Sequence, residues 1–90
     1  MDKLINIGYG NLINTDKIIA VVKPDAAPIK RQIAQAKDDG SYIDATCGNK
    51  CRSVIFTTES KLVLSALTAD TIAARVNSNG IPSKSLILKQ

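Results

Sequence analysis

The sequence predicts an α+β domain, a small and largely antiparallel sheet with one main helix and a short C-terminal helix. Three observations carry that expectation. Short runs of Ile, Val and Leu recur between clusters of turn-forming residues, which is the pattern of successive strands. The segment Ala26 to Asp38 places Ala26, Ile29, Ile33 and Ala36 at spacings of three and four, giving one narrow apolar stripe of a helix. The resulting order of strands, helix, hairpin, strand and helix does not alternate as repeated βαβ units do.

Taken in order, Leu4-Ile5-Asn6-Ile7 reads as a short strand stopped by Gly8-Tyr9-Gly10-Asn11. Leu12-Ile13 and Ile18 to Val22 read as two further strands joined by Asn14-Thr15-Asp16-Lys17, with β-branched residues supporting both. Pro24 ends that run, and Asp25 is the expected N-cap of the main helix. Pro28 falls in its first turn, where a missing N–H costs little, and Gly40 is the expected stop. Lys30, Arg31 and Lys37 lie off the apolar stripe. Tyr42 to Cys47 and Cys51 to Thr57 read as two strands of a tight hairpin turned by Gly48-Asn49-Lys50. Leu62-Val63-Leu64 adds a strand, and Thr68 caps a second helix from Ala69 to about Asn77. Residues 1–77 thus form one domain, and 78–90, with Gly80, Pro82 and three serines, read as a loosely ordered tail.

Ninety residues suffice for one domain with a marginal core. The apolar residues are mostly Ile, Leu, Val and Ala, with Tyr9, Tyr42 and Phe56 the only aromatics. A core without large rings gains little from any one side chain, so association with further copies is expected to complete it. Twelve Lys and Arg against eight Asp and Glu leave a charge of +4, which suits a polyanionic partner. No apolar run reaches the ~20 residues needed to span a bilayer, so no membrane partner is expected. The opening Met1-Asp2-Lys3-Leu4 lacks the basic start of a signal peptide, and the cytoplasm is the expected compartment.

Catalytic signals are nearly absent. The chain has no histidine, the commonest general base, and so its serines have no imidazole to activate them. Asp38 and Asp39 are adjacent on a helix and point apart, as a solvated helix end. Gly8-Tyr9-Gly10-Asn11 lacks the third glycine of a dinucleotide loop and the Gly-Lys-Ser ending of a nucleotide loop, so it reads as a turn. Cys47 and Cys51 supply two thiols where a structural zinc wants four ligands, and neither metal nor cofactor is expected. The basic residues remain. Lys50 and Arg52 lie at or just beyond the Gly48 turn and Lys17 ends another connection, positions from which cations reach phosphates. The plainer reading is solvated charge on exposed turns.

Several blocks of the chain together resemble the RemA family, bacterial regulators of extracellular-matrix genes. They are Leu4-Ile5-Asn6-Ile7-Gly8-Tyr9-Gly10-Asn11, Val22-Lys23-Pro24-Asp25-Ala26-Ala27-Pro28-Ile29-Lys30-Arg31, Ile43-Asp44-Ala45-Thr46, Val63-Leu64-Ser65-Ala66 and Thr71-Ile72-Ala73-Ala74-Arg75. The resemblance covers roughly residues 4 to 75 and implies a DNA-binding transcription factor of biofilm and matrix genes. It also implies a fold likened to the LytTR domain and a closed homo-oligomeric ring of seven or eight subunits, with basic surface residues on double-stranded DNA. The chain departs from the family where paired arginines follow the turn glycine, since it carries Asn49 and Lys50 there. Lys17 stands for another arginine, and Cys47 and Cys51 replace an aromatic and a hydroxyl residue. Lysine keeps the attraction to phosphate and loses the planar fork of arginine. The expected DNA contacts are therefore Lys17, Asn49, Lys50 and Arg52, with Arg31 as an outlying candidate. The competing expectation is a ring that scaffolds proteins and has lost DNA binding, recognisable by exposed apolar residues. RNA reading is disfavoured by the shortage of aromatics for base stacking.

Overall fold

In a computed structural model, which describes residues 3–80 and no side chain beyond residue 78, six strands and two helices follow one another. They are β1 (Leu4–Asn6), β2 (Leu12–Asn14), β3 (Ile18–Val22), α1 (Ala27–Asp39), β4 (Tyr42–Ala45), β5 (Ser53–Thr57), β6 (Leu62–Ser65) and α2 (Ala69–Gly80). A short 3-10 turn, Thr15–Lys17, links β2 to β3. The strands form a two-stranded ribbon, β1-β2, and a four-stranded sheet in the order β3-β5-β6-β4.

Alternation along β5 and β6 decides how the layers stack. Val54, Leu62 and Leu64 face one way, towards Ala36, Ile29 and Ile33 of α1. Ile55 and Val63 face the other way, onto Ile5 and Ile7 of the β1 strand and its exit and onto Ile72 of α2. The sheet is therefore sandwiched, with α1 on one face and the ribbon and α2 on the other. Strands covered on both faces read as continuous apolar runs, as Val54-Ile55-Phe56 and Leu62-Val63-Leu64 do. Three of the four strand pairings are antiparallel, in keeping with the predicted α+β class.

The expected hairpin between Tyr42–Cys47 and Cys51–Thr57 does not form. β6 lies between β4 and β5, and β4 pairs with β6 in parallel, Tyr42 opposite Leu62 and Ala45 opposite Ser65. Burial explains the outcome. Ser53, Val54 and Ile55 have no exposed surface, so β5 needs a partner on each side, which β3 and β6 supply. Ile43 is 51% exposed and Asp44 is exposed, a composition that suits the sheet edge β4 occupies. The turn signal itself was sound. Asn49 N–H donates to Thr46 C=O at 3.0 Å, and Cys47 and Gly48 between them have φ of +52° and +82°. Positive φ at both central residues is the hairpin type of turn, but here the chain leaves it for β6, where Arg52 N–H donates to Ser65 C=O at 2.8 Å.

α1 begins one residue later than expected, and Ala26, not Asp25, is its N-cap, with no side-chain cap bond. Pro28 is the second residue of the helix and has no N–H for a cap to satisfy, which lessens the value of an acceptor there. Gly40 ends the helix at φ +73°, and Ser41 N–H closes back on Ala36 C=O at 3.0 Å. Only Ala36 of α1 is fully buried, with Ile29 and Ile33 half-buried, so most of this helix meets solvent. Thr68 caps α2 as expected, its Oγ1 accepting from Thr71 N–H at 3.2 Å. α2 runs to Gly80, beyond the expected end at Asn77. The expectation of a loosely ordered tail falls, past Gly80, outside the described residues.

Two fully buried serines tie the layers together. Ser53 Oγ donates to Leu67 C=O at 2.8 Å. Ser65 Oγ donates to Ile7 C=O at 2.7 Å and accepts from Leu67 N–H at 3.0 Å. Arg75 Nη1 donates to Asn6 C=O at 2.7 Å, joining α2 to β1.

Candidate nucleic-acid interface

The parallel pairing of β4 with β6, and the antiparallel run of β5 between β6 and β3, bring four connections to one end of the sheet. β4 and β6 stop there at Ala45 and Ser65, β5 starts there at Ser53, and β3 stops there at Val22, opposite Val54. The connections are Gly8–Asn11, Lys23–Ala26, Thr46–Arg52 and Ala66–Thr68. Gly8–Asn11 is held to this end by Ser65 and by Asn11 Nδ2, which donates to Ala45 C=O at 3.4 Å. α2 also begins here, at Ala69.

A cleft of about 330 Å³ opens among these loops, with Lys23, Lys50 and Arg52 on its walls beside Thr68, Asp25 and Asp70. The cations outnumber the carboxylates by one, and all five charged residues are exposed. The first turn of α2 adds backbone N–H groups and the positive end of the helix dipole. Such a concentration of donors and positive charge attracts anions. Among the described residues no group of three or more metal-ligating side chains comes together.

The Thr46–Arg52 loop is anchored at its root. Asp44 Oδ1 accepts from Thr46 N–H at 2.9 Å and from its Oγ1 at 2.6 Å, and Thr46 is 4% exposed. These two bonds, the side-chain one first, hold the Asp44 carboxyl below its ordinary value of 3.8. A group depressed in the folded state stabilises the fold above its unfolded pKa and loses that effect as pH falls through the folded one. The expected result is that Asp44→Ala lowers the thermal midpoint at pH 7, and that the gap to the wild type narrows steadily below about pH 4. A gap constant from pH 7 to pH 2.5 would reject the anchor. Within the loop, burial pushes the half-buried Cys51 thiol up, and its Sγ donates to Ser53 C=O at 3.3 Å. Cys51 is therefore held as the thiol, while Cys47 is exposed; both are free.

The five residues expected from sequence do not gather in one place. Lys50 and Arg52 share the cleft. Asn49 stands beside them, but its Nδ2 donates to Thr46 C=O at 3.0 Å and to Cys47 C=O at 3.4 Å, so its amide locks the turn that presents Lys50. Lys17 lies at the opposite end of β3, where its Nζ pairs with Glu59 Oε2 at 3.3 Å. Five strand residues separate it from the cleft, about 16 Å of chain. Arg31 is exposed on the outer surface of α1, in a shallow depression with Pro28, Gln32 and Gln35. The reading of the sequence missed Lys23, which stands just past the end of β3. Its neighbourhood to Arg52 comes from the pairing of β3 with β5, a relation between residues some thirty positions apart that no local pattern announces.

Residues 4–76 match the model of the family described as RemA-like, extracellular matrix regulatory protein A-like. The chain belongs to the RemA-like family. The RemA-like match spans all six strands, α1 and most of α2, and it includes every residue of the cleft. A RemA-like relative from Lachnoclostridium phytofermentans is 57% identical over 77 residues, which cover 86% of this chain and 85% of the relative. One from Thermoanaerobacter sp. (strain X514) is 51% identical over 77 residues, covering 86% and 80%. One from Pelotomaculum thermopropionicum is 48% identical over 82 residues, covering 91% and 90%. All three carry names that assign a regulatory role and nothing finer. Family and names point to a regulatory protein and not to an enzyme. No helix among the described residues is long and apolar enough to cross a membrane.

Proposed function

We propose that this RemA-like chain is a DNA-binding regulator of transcription that acts as a homo-oligomeric ring. The observation that carries the reading is the convergence of Lys23, Lys50 and Arg52 around one cleft at the start of α2. Cations on protruding loops neutralise backbone phosphates and release counterions, which supplies affinity without requiring a deep pocket. One chain offers few such contacts, and a ring repeats them, so modest contacts multiply along one DNA. Lys17, 16 Å or so from the cleft within a chain, joins the same belt in this reading by standing beside the next subunit's loops. The ring, the LytTR-like fold, the seven or eight copies, the cytoplasmic setting and the matrix and biofilm genes are what the family resemblance suggests.

Self-association has physical support of its own. Leu4 and Leu12 are 61% and 59% exposed and sit diagonally on the outer face of the ribbon. On the opposite side of the sheet an open apolar groove of about 580 Å³ runs between α1 and β3, with Ile19, Val22, Ile29 and Phe56 on its walls. Exposed apolar surface of this kind favours a partner. The same surface also favours the second reading, a ring that scaffolds proteins without DNA. Light-scattering mass with and without long double-stranded DNA, at two salt concentrations, separates them. A discrete oligomer that loads onto DNA at low salt and leaves at high salt supports the regulator. An oligomer indifferent to DNA supports the scaffold, and a monomer rejects both.

A further inference from the structure

Tyr9 sits where a side chain is costly and where this chain makes no use of it. Gly8, Tyr9 and Gly10 have φ of +112°, +55° and +79°, so the tyrosine is held in the left-handed region that favours glycine. The loop cannot relax out of it. Ile7 N–H donates to Asn11 C=O at 2.8 Å, Asn11 N–H donates to Gly8 C=O at 3.0 Å, and Gly8 N–H donates to Asn6 Oδ1 at 2.7 Å. A Cβ at Gly8 would come within 3.4 Å of Leu67 Cγ, so the loop also packs closely on its floor. The ring of Tyr9 is nonetheless 60% exposed, and among the described residues its hydroxyl makes no hydrogen bond. Tyr42, by contrast, packs half-buried against the α1 side of the core.

A strained, rigid and exposed aromatic gives the fold little in return, which directs attention to a partner. The loop stands at the same end of the sheet as the cations, joined to β4 by the Asn11–Ala45 bond immediately before the Thr46–Arg52 loop. We propose that Tyr9 is a further contact residue for DNA, its ring lying against the deoxyribose of a strand whose phosphates Lys50 and Arg52 neutralise. This rests on the DNA-binding reading above. Contacts to sugar and phosphate fix the register of a protein on the duplex without reading sequence, and a rigid aromatic gives such a contact at low entropic cost.

The contact is uncharged, which makes it separable from the lysine and arginine contacts. The probe is a long double-stranded DNA of mixed sequence, titrated across several salt concentrations. Tyr9→Gly and Tyr9→Ala are expected to weaken binding about tenfold with the slope of log affinity against log salt unchanged, because no phosphate partner is lost. Tyr9→Phe keeps the ring and stays within about twofold of the wild type. Tyr9→Gly is expected to keep or raise the thermal midpoint, since glycine suits the backbone better than tyrosine. Wild-type protein that ignores the DNA at low salt overturns the functional reading and this one with it. Wild-type protein that binds while Tyr9→Gly binds equally well overturns the Tyr9 contact alone. A fall in assembly mass for Tyr9→Gly would assign the ring to an interface between copies and equally overturn the DNA contact.

Discussion

Lys50→Ala combined with Arg52→Ala is expected to lower the affinity for duplex DNA about 60-fold in 0.1 M salt for each subunit in contact. Each phosphate neutralised contributes about 0.9 to the slope of log affinity against log salt, so each contact is worth about eightfold at that concentration and two multiply. The slope should flatten by about 2 per contacting subunit, and all DNA sequences should suffer alike. The two side chains carry no hydrogen bond or ion pair among the described residues, so the thermal midpoint should move little. Lys17→Ala provides a sharp contrast. Its cation is engaged with Glu59, and both partners are more than half exposed, so the pair itself adds little stability. Loss of DNA affinity in Lys17→Ala as large as in Lys50→Ala would place Lys17 in the belt, whereas no loss would confine the contact to the cleft. An unchanged slope in the double variant would remove the cleft from the argument altogether.

Ser65→Ala is expected to be the most damaging small change to the fold. It deletes one oxygen at a fully buried position and leaves Ile7 C=O and Leu67 N–H without their partner. An unsatisfied buried group costs about 1–3 kcal/mol, so the pair should cost about 3 kcal/mol. For a domain of this size that is a fall of roughly 15 °C in the thermal midpoint, read by circular dichroism at one fixed protein concentration. The loop carrying Tyr9 leaves β1 through Ile7, and α2 starts just after Leu67, so DNA affinity should weaken with the fold. A fall of less than about 3 °C would mean that the bracket between β1 and the start of α2 is not made by this hydroxyl.

Much of the architecture is written locally. The apolar stripe of α1, the stop at Gly40, the Thr68 cap and all six strands depend on residues within a few positions of one another, and these are readable in a single chain. Strand partners are not. The Gly48 turn has the backbone of a hairpin, yet the demand of Ser53-Val54-Ile55 for cover on both sides outweighs the convenience of pairing with the preceding strand. The N-cap of α1 was misplaced for a related reason, since Pro28 changes what a cap can satisfy. For the candidate site, turn position and charge drew attention to Lys50 and Arg52, and only the sheet order adds Lys23. Asn49 looked available from its position, but its amide is engaged by the turn's own carbonyls. Tyr9 was visible as part of a glycine-rich turn; its left-handed backbone and its exposure together were not.

The parallel pairing of β4 with β6 also constrains the order in which the chain can assemble. Tyr42–Ala45 precedes Leu62–Ser65, its only partner strand among the described residues, by some twenty residues, with β5 in between. During synthesis β4 has nothing to pair with until β5 and β6 have emerged and joined β3. The Asp44–Thr46 bonds are local, but the strand that carries them is placed in the sheet late, by pairing with residues distant in sequence, which is slow to form. The cleft is accordingly a signature of finished folding: a nascent or partly unfolded chain carries the same charges but does not bring Lys23, Lys50 and Arg52 together.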